Sequence, residues 1–347
     1  MILAFLSACI TTALLLVMLR PVAVNIGLVD RPNLRKTHAV EMPLIGGIAM
    51  VIGLALSSLL LPISLEIYRI LFFVIGLLAI VGVLDDHQDI APKTKFVAQF
   101  IAAIILVSGE NISVHHIGDI LNMGDPIYLS TFKYPLTIIA VVGVINAFNM
   151  VDGLDGLAGG LALTALLSIS ALLLLGGAND EMYLLLIVAT VILTFLFFNV
   201  EWFLGQKRQV FMGDAGSMFI GLIVVYALLK ASLGDKPPVR VTAAPWIIGL
   251  PLLDLISVLV LRILKKSPVY LPDRLHIHHF LLDRGMGKST VLFFLLTIQI
   301  LFCMVGVFGS INFWPDVYMF WGAIGILGLY VLFRIRIPNK LEKNIFS

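Results

Sequence analysis

Charge is what this sequence has least of. Of its 347 residues only 13% are Asp, Glu, Lys or Arg, while 60% are hydrophobic. A soluble domain carries about 25% charged residues. That deficit excludes a water-soluble globule and makes an integral membrane protein the expected class. The net charge of +2 leaves no basic surplus for a nucleic-acid partner. Cysteine is equally scarce. Cys9 and Cys303 both lie in apolar runs without metal-type spacing, which excludes a disulfide framework. There is no GxxxxGK[ST] and no GxSxG, so a Walker-type nucleotidase is excluded and a serine-hydrolase elbow is missing. No repeat of 20–50 residues and no low-complexity tract interrupts the chain. The opening ILAFLSACITTALLLVML has no basic n-region and outruns a signal h-region, so it reads as an uncleaved first span.

What remains is apolar, in long runs. A crossing helix needs about 20 mostly apolar residues, and lipid leaves no alternative to a helix for such segments. Eleven spans are expected, at 2–20, 44–62, 68–84, 95–109, 134–148, 158–176, 182–200, 215–232, 243–264, 290–309 and 314–333. The fold class is therefore an all-α polytopic membrane protein, one domain over 1–347. Alternate connections divide the basic residues unevenly. One side holds only Arg69, Lys133, Lys230, Lys236 and Arg240, leaving 18 of the 23 Lys and Arg on the other. The positive-inside rule makes the richer side cytoplasmic, with a periplasmic N-terminus and a cytoplasmic C-terminus. The concentrated polar motifs share that side, and loops 25–43, 85–95, 149–157, 201–216 and 265–289 are expected to build the site.

VLDDHQDIAPKTK carries Asp85, Asp86 and Asp89 where the third span ends. Asp89 follows Asp85 by one helical turn. Clustered carboxylates hold Mg²⁺ with substrate phosphates as further ligands, although aspartates at a loop end also serve as caps. NAFNMVDGLDGLAGG interrupts two apolar segments with Asn146, Asn149, Asp152 and Asp155 every three residues. Gly153 and Gly156 permit a tight turn and close approach of a ligand. Two carboxylates this close repel unless a cation or donor lies between them. VFMGDAGS sets Asp214 between Gly213 and Gly216 at a helix start, where phosphates bind readily; an ordinary N-cap has the same pattern. LPDRLHIHHFLLDRG packs Arg274, His276, His278 and His279 into six residues. Beside carboxylates these suit phosphate contacts, with Arg as a bidentate fork, better than zinc. RPNLRKTHAVEMPLIGG adds basic residues, which membrane anchoring also explains, and a Pro and Gly–Gly pair that suggest a shaped loop. Asp254 lies deep in the ninth span; intramembrane carboxylates face the bundle, with Arg262 or Ser257 as candidate partners.

Taken together, DDHQD, NAFNMVDGLDGL, VFMGDAGS and PDRLHIHH resemble the motifs of the polyprenyl-phosphate N-acetylhexosamine-1-phosphate transferase family. The resemblance is nearest to its bacterial undecaprenyl-phosphate GlcNAc-1-phosphate branch. It implies a bacterial inner-membrane enzyme with a cytoplasmic site, acting at the first step of lipid-linked cell-surface polysaccharide synthesis. Undecaprenyl phosphate and UDP-GlcNAc are the implied substrates, undecaprenyl-diphospho-GlcNAc and UMP the products. The implied cofactor is Mg²⁺, with Mn²⁺ as a substitute. Catalytic roles fall on Asp85, Asp86, Asp152, Asp155 and His276. Substrate contacts fall on Asn149, Phe211, Arg274, His278 and His279, with Phe211 at a position that stacks on uracil in the related muramyl-pentapeptide enzyme. Metal ligation falls on Asp214 and Asp86. The lipid bilayer is a partner, and a homodimer stays open. Another UDP-N-acetylhexosamine, a prenyltransferase using the aspartate-rich motif, and a cation-coupled transporter with midplane charges are the rival readings.

Overall fold

The computed structural model describes residues 1–31, 41–205, 208–234, 236–266 and 275–337. Among these residues the chain forms fourteen α-helices. They are α1 (Ile2–Ile26), α2 (Gly46–Ser58), α3 (Arg69–Gln88), α4 (Pro92–Gly109), α5 (Lys133–Val151), α6 (Leu157–Leu175) and α7 (Asn179–Asn199). The short α8 (Glu201–Leu204) precedes α9 (Gly213–Ala231), α10 (Ala244–Ile247) and α11 (Gly249–Leu264). The chain closes with α12 (Ile277–Leu282), α13 (Lys288–Ile311) and α14 (Asp316–Arg336). The single sheet described is a ribbon of β1 (Val29–Asp30) and β2 (Met42–Pro43), antiparallel with Val29 opposite Pro43.

The all-α membrane architecture read from composition is thus present. Nine of the described helices are long and apolar enough to cross a membrane. Two segments expected to span are helical but short. The first, α2, has only 13 residues. The second breaks at Ile248 into α10 and α11, in a stretch holding Pro245, Gly249 and Pro251. A break inside a bundle leaves backbone groups that lipid cannot satisfy. Gln299 of α13 satisfies them. Its Oε1 accepts from Leu250 N at 3.0 Å, and its Nε2 donates to Ile247 O at 2.7 Å.

The bundle is built around α9. Its residues are buried on every side from Ala215 to Leu229, as expected of a helix that is hydrophobic all round. Close approach to it depends on small residues. A Cβ on Gly47 would collide with the Gly216 backbone, one on Gly82 with Ala215, and one on Gly221 would meet Ile145 Cα at 2.8 Å. At the other extreme, α14 buries almost nothing along its length. It is held at its start by Asp316, whose Oδ1 accepts from Arg240 Nη2 and Thr242 Oγ1, both at 2.6 Å.

The helix contacts around α9 leave no room for an added methyl. Replacing Gly47 or Gly82 by Ala should lower the thermal midpoint in detergent, with overpacking of this kind worth about 1–3 kcal/mol. Gly76→Ala on the same α3, where nothing lies within 4 Å, should be neutral or slightly stabilising.

Candidate active site

Helix ends converge at one end of the bundle. The ends of α3, α5 and α7 and the starts of α9 and α13 line a cavity of about 830 Å³. Its wall carries Asp85, Asp86, Asp89, Asn149, Asp152, Asp155, Phe211, Asp214 and His279. Most residues singled out in the sequence thus face one space, although more than a hundred positions separate the first motif from the third.

The α3 end is shaped by its own aspartates. Asp89 takes a left-handed conformation and its N donates to Asp85 O at 2.8 Å. The Asp85 side chain then turns the exiting chain, since its Oδ1 accepts from Ile90 N at 2.8 Å. Asp86 does something different. Its Oδ1 accepts from Asp214 N at 2.8 Å and its Oδ2 lies 3.5 Å from Ala215 N. Asp86 therefore caps α9 from a neighbouring helix, where orphan N–H groups and a positive dipole favour a carboxylate. Gly213 makes this approach feasible. It has φ of +70°, and a Cβ there would collide with the Asp86 carboxylate.

Asp214 is then held with its side chain toward the cavity. Asn149 Nδ2 donates to Asp214 Oδ1 and to Ser217 Oγ, both at 2.8 Å. Lys95, in the first turn of α4, lies between two carboxylates. Its Nζ is 2.7 Å from Asp85 Oδ2 and 2.8 Å from Asp214 Oδ2. One ammonium thus joins α3, α4 and α9. Sequence reading passed over Lys95. Its only linear signal is a basic residue inside VLDDHQDIAPKTK, ten positions after Asp85.

The turn between α5 and α6 brings Asp152 and Asp155 to the same wall. Gly156 has φ of +80°, and its N donates to Asn199 Oδ1 at 2.7 Å. Asn199 Nδ2 in turn donates to Val210 O at 2.9 Å, so one carboxamide ties the turn to the loop that carries Phe211. That loop is also pinned by Gly46 N, which donates to Phe211 O at 2.9 Å. Asp152 is exposed on the cavity wall. Desolvation, then the charges of Asp214 and Asp155, push its carboxyl up to about 7. Asn146 does not join this group, since its Nδ2 donates to Gln99 Oε1 at 2.6 Å inside the bundle.

The three histidines separate in role. His279 lines the cavity. His278 is buried against Gly153, where a Cβ would collide with its Nε2. His276 is buried as well and does not line the cavity; its Nδ1 lies 2.8 Å from Asp254 Oδ2. Asp254 thus turns out to face His276, and Ser257 meets only its backbone carbonyl. Arg274, read as a phosphate contact, lies outside the described residues.

The Lys95 bridge has a measurable consequence. Lys95→Met strands two carboxylates and should lower the thermal midpoint. Adding Asp85→Asn should recover part of that loss. The double-mutant cycle should give a coupling of about 1 kcal/mol or more, and simple additivity would dismiss the bridge.

The chain has relatives among known proteins. Residues 68–232 match the family model described as glycosyl transferase family 4. The chain is 36% identical over 318 residues to the undecaprenyl-phosphate alpha-N-acetylglucosaminyl 1-phosphate transferase of Haemophilus influenzae, covering 92% of this chain and 89% of that one. The protein of the same name from Pasteurella multocida is 37% identical over 331 residues, 95% and 91% of the two chains. That of Escherichia coli strain K12 is 33% identical over 344 residues, 96% and 93%. Similar to these transferases over nearly all of its length, the chain belongs to glycosyl transferase family 4.

Proposed function

We propose that the protein transfers GlcNAc-1-phosphate from UDP-GlcNAc to undecaprenyl phosphate, releasing UMP and leaving undecaprenyl-diphospho-GlcNAc in the membrane. The observation that carries the reading is the convergence of Asp85 and Asp214 on a single cation, Lys95 Nζ, in an acidic cavity at the end of an apolar bundle. A water-soluble nucleotide sugar and a lipid phosphate meet in such a place. The names of the relatives support the same acceptor and sugar phosphate. The excess of Lys and Arg on the same side supports a cytoplasmic site, with eleven crossings and an N-terminus outside.

The donor set suits Mg²⁺. Hard oxygen ligands in small number, completed by water and phosphate oxygens, are its usual surroundings, and Mn²⁺ accepts the same donors. Asp214 is the residue to hold it, with Asp85 beside it, since both carboxylates already face a cation. Asp86 has its oxygens on the N–H groups of Asp214 and Ala215, so its part is to fix the start of α9. When bound, the metal neutralises charge on the diphosphate. The chain itself positions the reactants. An oxygen of the lipid phosphate attacks the β-phosphorus of UDP-GlcNAc. The bond from that phosphorus to the bridging oxygen breaks, and UMP keeps the oxygen. A phosphate monoester has its second pKa near 6, so the nucleophile is mostly dianionic at neutral pH and no strong base is required. Asp85 orients it, and Asp152, Asp155 and Asn149 line the donor side. Phe211, on the same wall, offers a ring for the uracil.

The test is UMP release by purified protein with undecaprenyl phosphate, comparing UDP-GlcNAc, UDP-GalNAc and UDP-MurNAc-pentapeptide with and without EDTA. Release with UDP-GlcNAc that EDTA abolishes is expected. Asp214→Asn should reduce turnover about 100-fold or more. Folded protein that releases no UMP from any donor would overturn the reading. Phosphate trapped on Asp85 with the donor alone would overturn direct attack.

A further inference from the structure

The geometry points to Asp254 as a positioning residue that sets the histidine loop against the cavity by fixing the hydrogen of His276 on Nδ1. The kinetic part of this inference rests on the transferase reading; the structural part does not.

The helix that carries His278 and His279, α12, has only six residues. A helix this short has no stability of its own, so tertiary contacts must hold it. Its N-cap, His276, makes no side-chain capping bond. The cap comes from α11 instead. Asp254 Oδ1 accepts from Ile277 N at 2.8 Å while Asp254 Oδ2 meets His276 Nδ1 at 2.8 Å. One carboxylate therefore takes the first backbone donor of α12 and the ring of its cap residue together. A second clamp comes from α14. Arg334 Nη2 donates to Leu275 O at 2.6 Å, and the guanidinium groups of Arg284 and Arg334 lie 3.6 and 4.6 Å from the centre of the Phe280 ring.

The anchor reaches the cavity through a row of imidazole rings in contact. His276 and His278 lie nearly parallel, 5.9 Å apart, and His278 lies 4.2 Å from His279, which lines the cavity. His278 cannot shift freely, because it is packed against the Gly153 backbone beside Asp152. A displaced His276 therefore disturbs the ring that lines the cavity.

The choice of a carboxylate is specific. Asp254 is fully buried, and a buried charge is retained only where it is well partnered. An ionised carboxylate only accepts, so His276 must carry its hydrogen on Nδ1. Asn at this position has the same shape. Its oxygen would still accept from Ile277 N, but its amide would donate to His276 Nδ1 and drive the hydrogen to Nε2.

The experiment uses the full chain in detergent with [¹⁵N]histidine. In the native enzyme one ring should carry hydrogen on Nδ1, its signal assigned by its loss in His276→Gln. Asp254→Asn should move that hydrogen to Nε2 with only a small change in thermal midpoint. Its kcat/KM for UDP-GlcNAc should fall about 10–100-fold, the range seen when the carboxylate behind a metal-ligating histidine is removed. The KM for undecaprenyl phosphate should not change, and Asp254→Glu should recover part of the loss. A native His276 with hydrogen on Nε2 would overturn the inference, and needs no variant of Asp254 to fold. So would Asp254→Asn with unchanged tautomer and unchanged kcat/KM. An enzyme that releases no UMP would remove the transferase reading while the tautomer still decides the role of Asp254.

Discussion

Negative charge gathered at one end of an apolar bundle is the constraint to which the site answers. Asp85, Asp86, Asp152, Asp155 and Asp214 share one cavity wall. Like charges at such range raise one another's proton affinity unless something positive or hydrogen-bonding intervenes. Three devices intervene here, and each is also a structural tie. Lys95 bridges α3 and α9 from α4. The N-terminus of α9 takes up Asp86. Asn149 fastens Asp214 to α5. The same interactions that make the acidic cluster tolerable hold four helices in register, so the architecture and the chemistry of the site are one arrangement. Asp152 lacks such a tie among the bonds described, and desolvation with the charges of Asp214 and Asp155 pushes its carboxyl up to about 7.

Polar side chains inside the bundle follow a second rule set by lipid. At three places where the backbone departs from a helix, a carboxamide or carboxylate arrives from another element. Gln299 closes the gap between α10 and α11. Asn199 closes the turn before α6 and holds the strand-like stretch leading to Phe211. Asp254 closes the start of α12. These residues are buried, and none makes sense as a solvated polar group. They permit irregular backbone near the site without exposing it to hydrocarbon, and irregular backbone is what brings loop residues such as Asp155, Phe211 and His279 to one wall.

Much of this was legible in the chain. A 13% charged composition settles the class, because so much apolar surface has no other place to go. The helical segments follow from run length, and the polar motifs betray themselves by interrupting those runs. Asp85, Asn149, Asp152, Asp155, Asp214 and His279 are all recognisable as candidates by residue type and setting, while Phe211 enters only through the family resemblance. The spans at 44–62 and 243–264 were less legible. Hydropathy counts apolar residues, whereas the ends of α2 and the break at Ile248 depend on what neighbouring helices offer the backbone.

The sequence by itself determined an all-helical membrane protein with its polar chemistry in a few short interruptions, since burial of apolar runs and the need to satisfy backbone groups in lipid are local demands. Only the tertiary structure decided which carboxylate does what. Asp85 and Asp86 are adjacent in the chain, but successive residues on a helix point about 100° apart. One meets Lys95 and the other the start of α9. His276, His278 and His279 look alike in sequence and divide between an anchor, a packed ring and the cavity wall. Lys95 and Asp254 acquire their partners from helices more than twenty residues away or across a loop, and no spacing rule in one dimension carries that information.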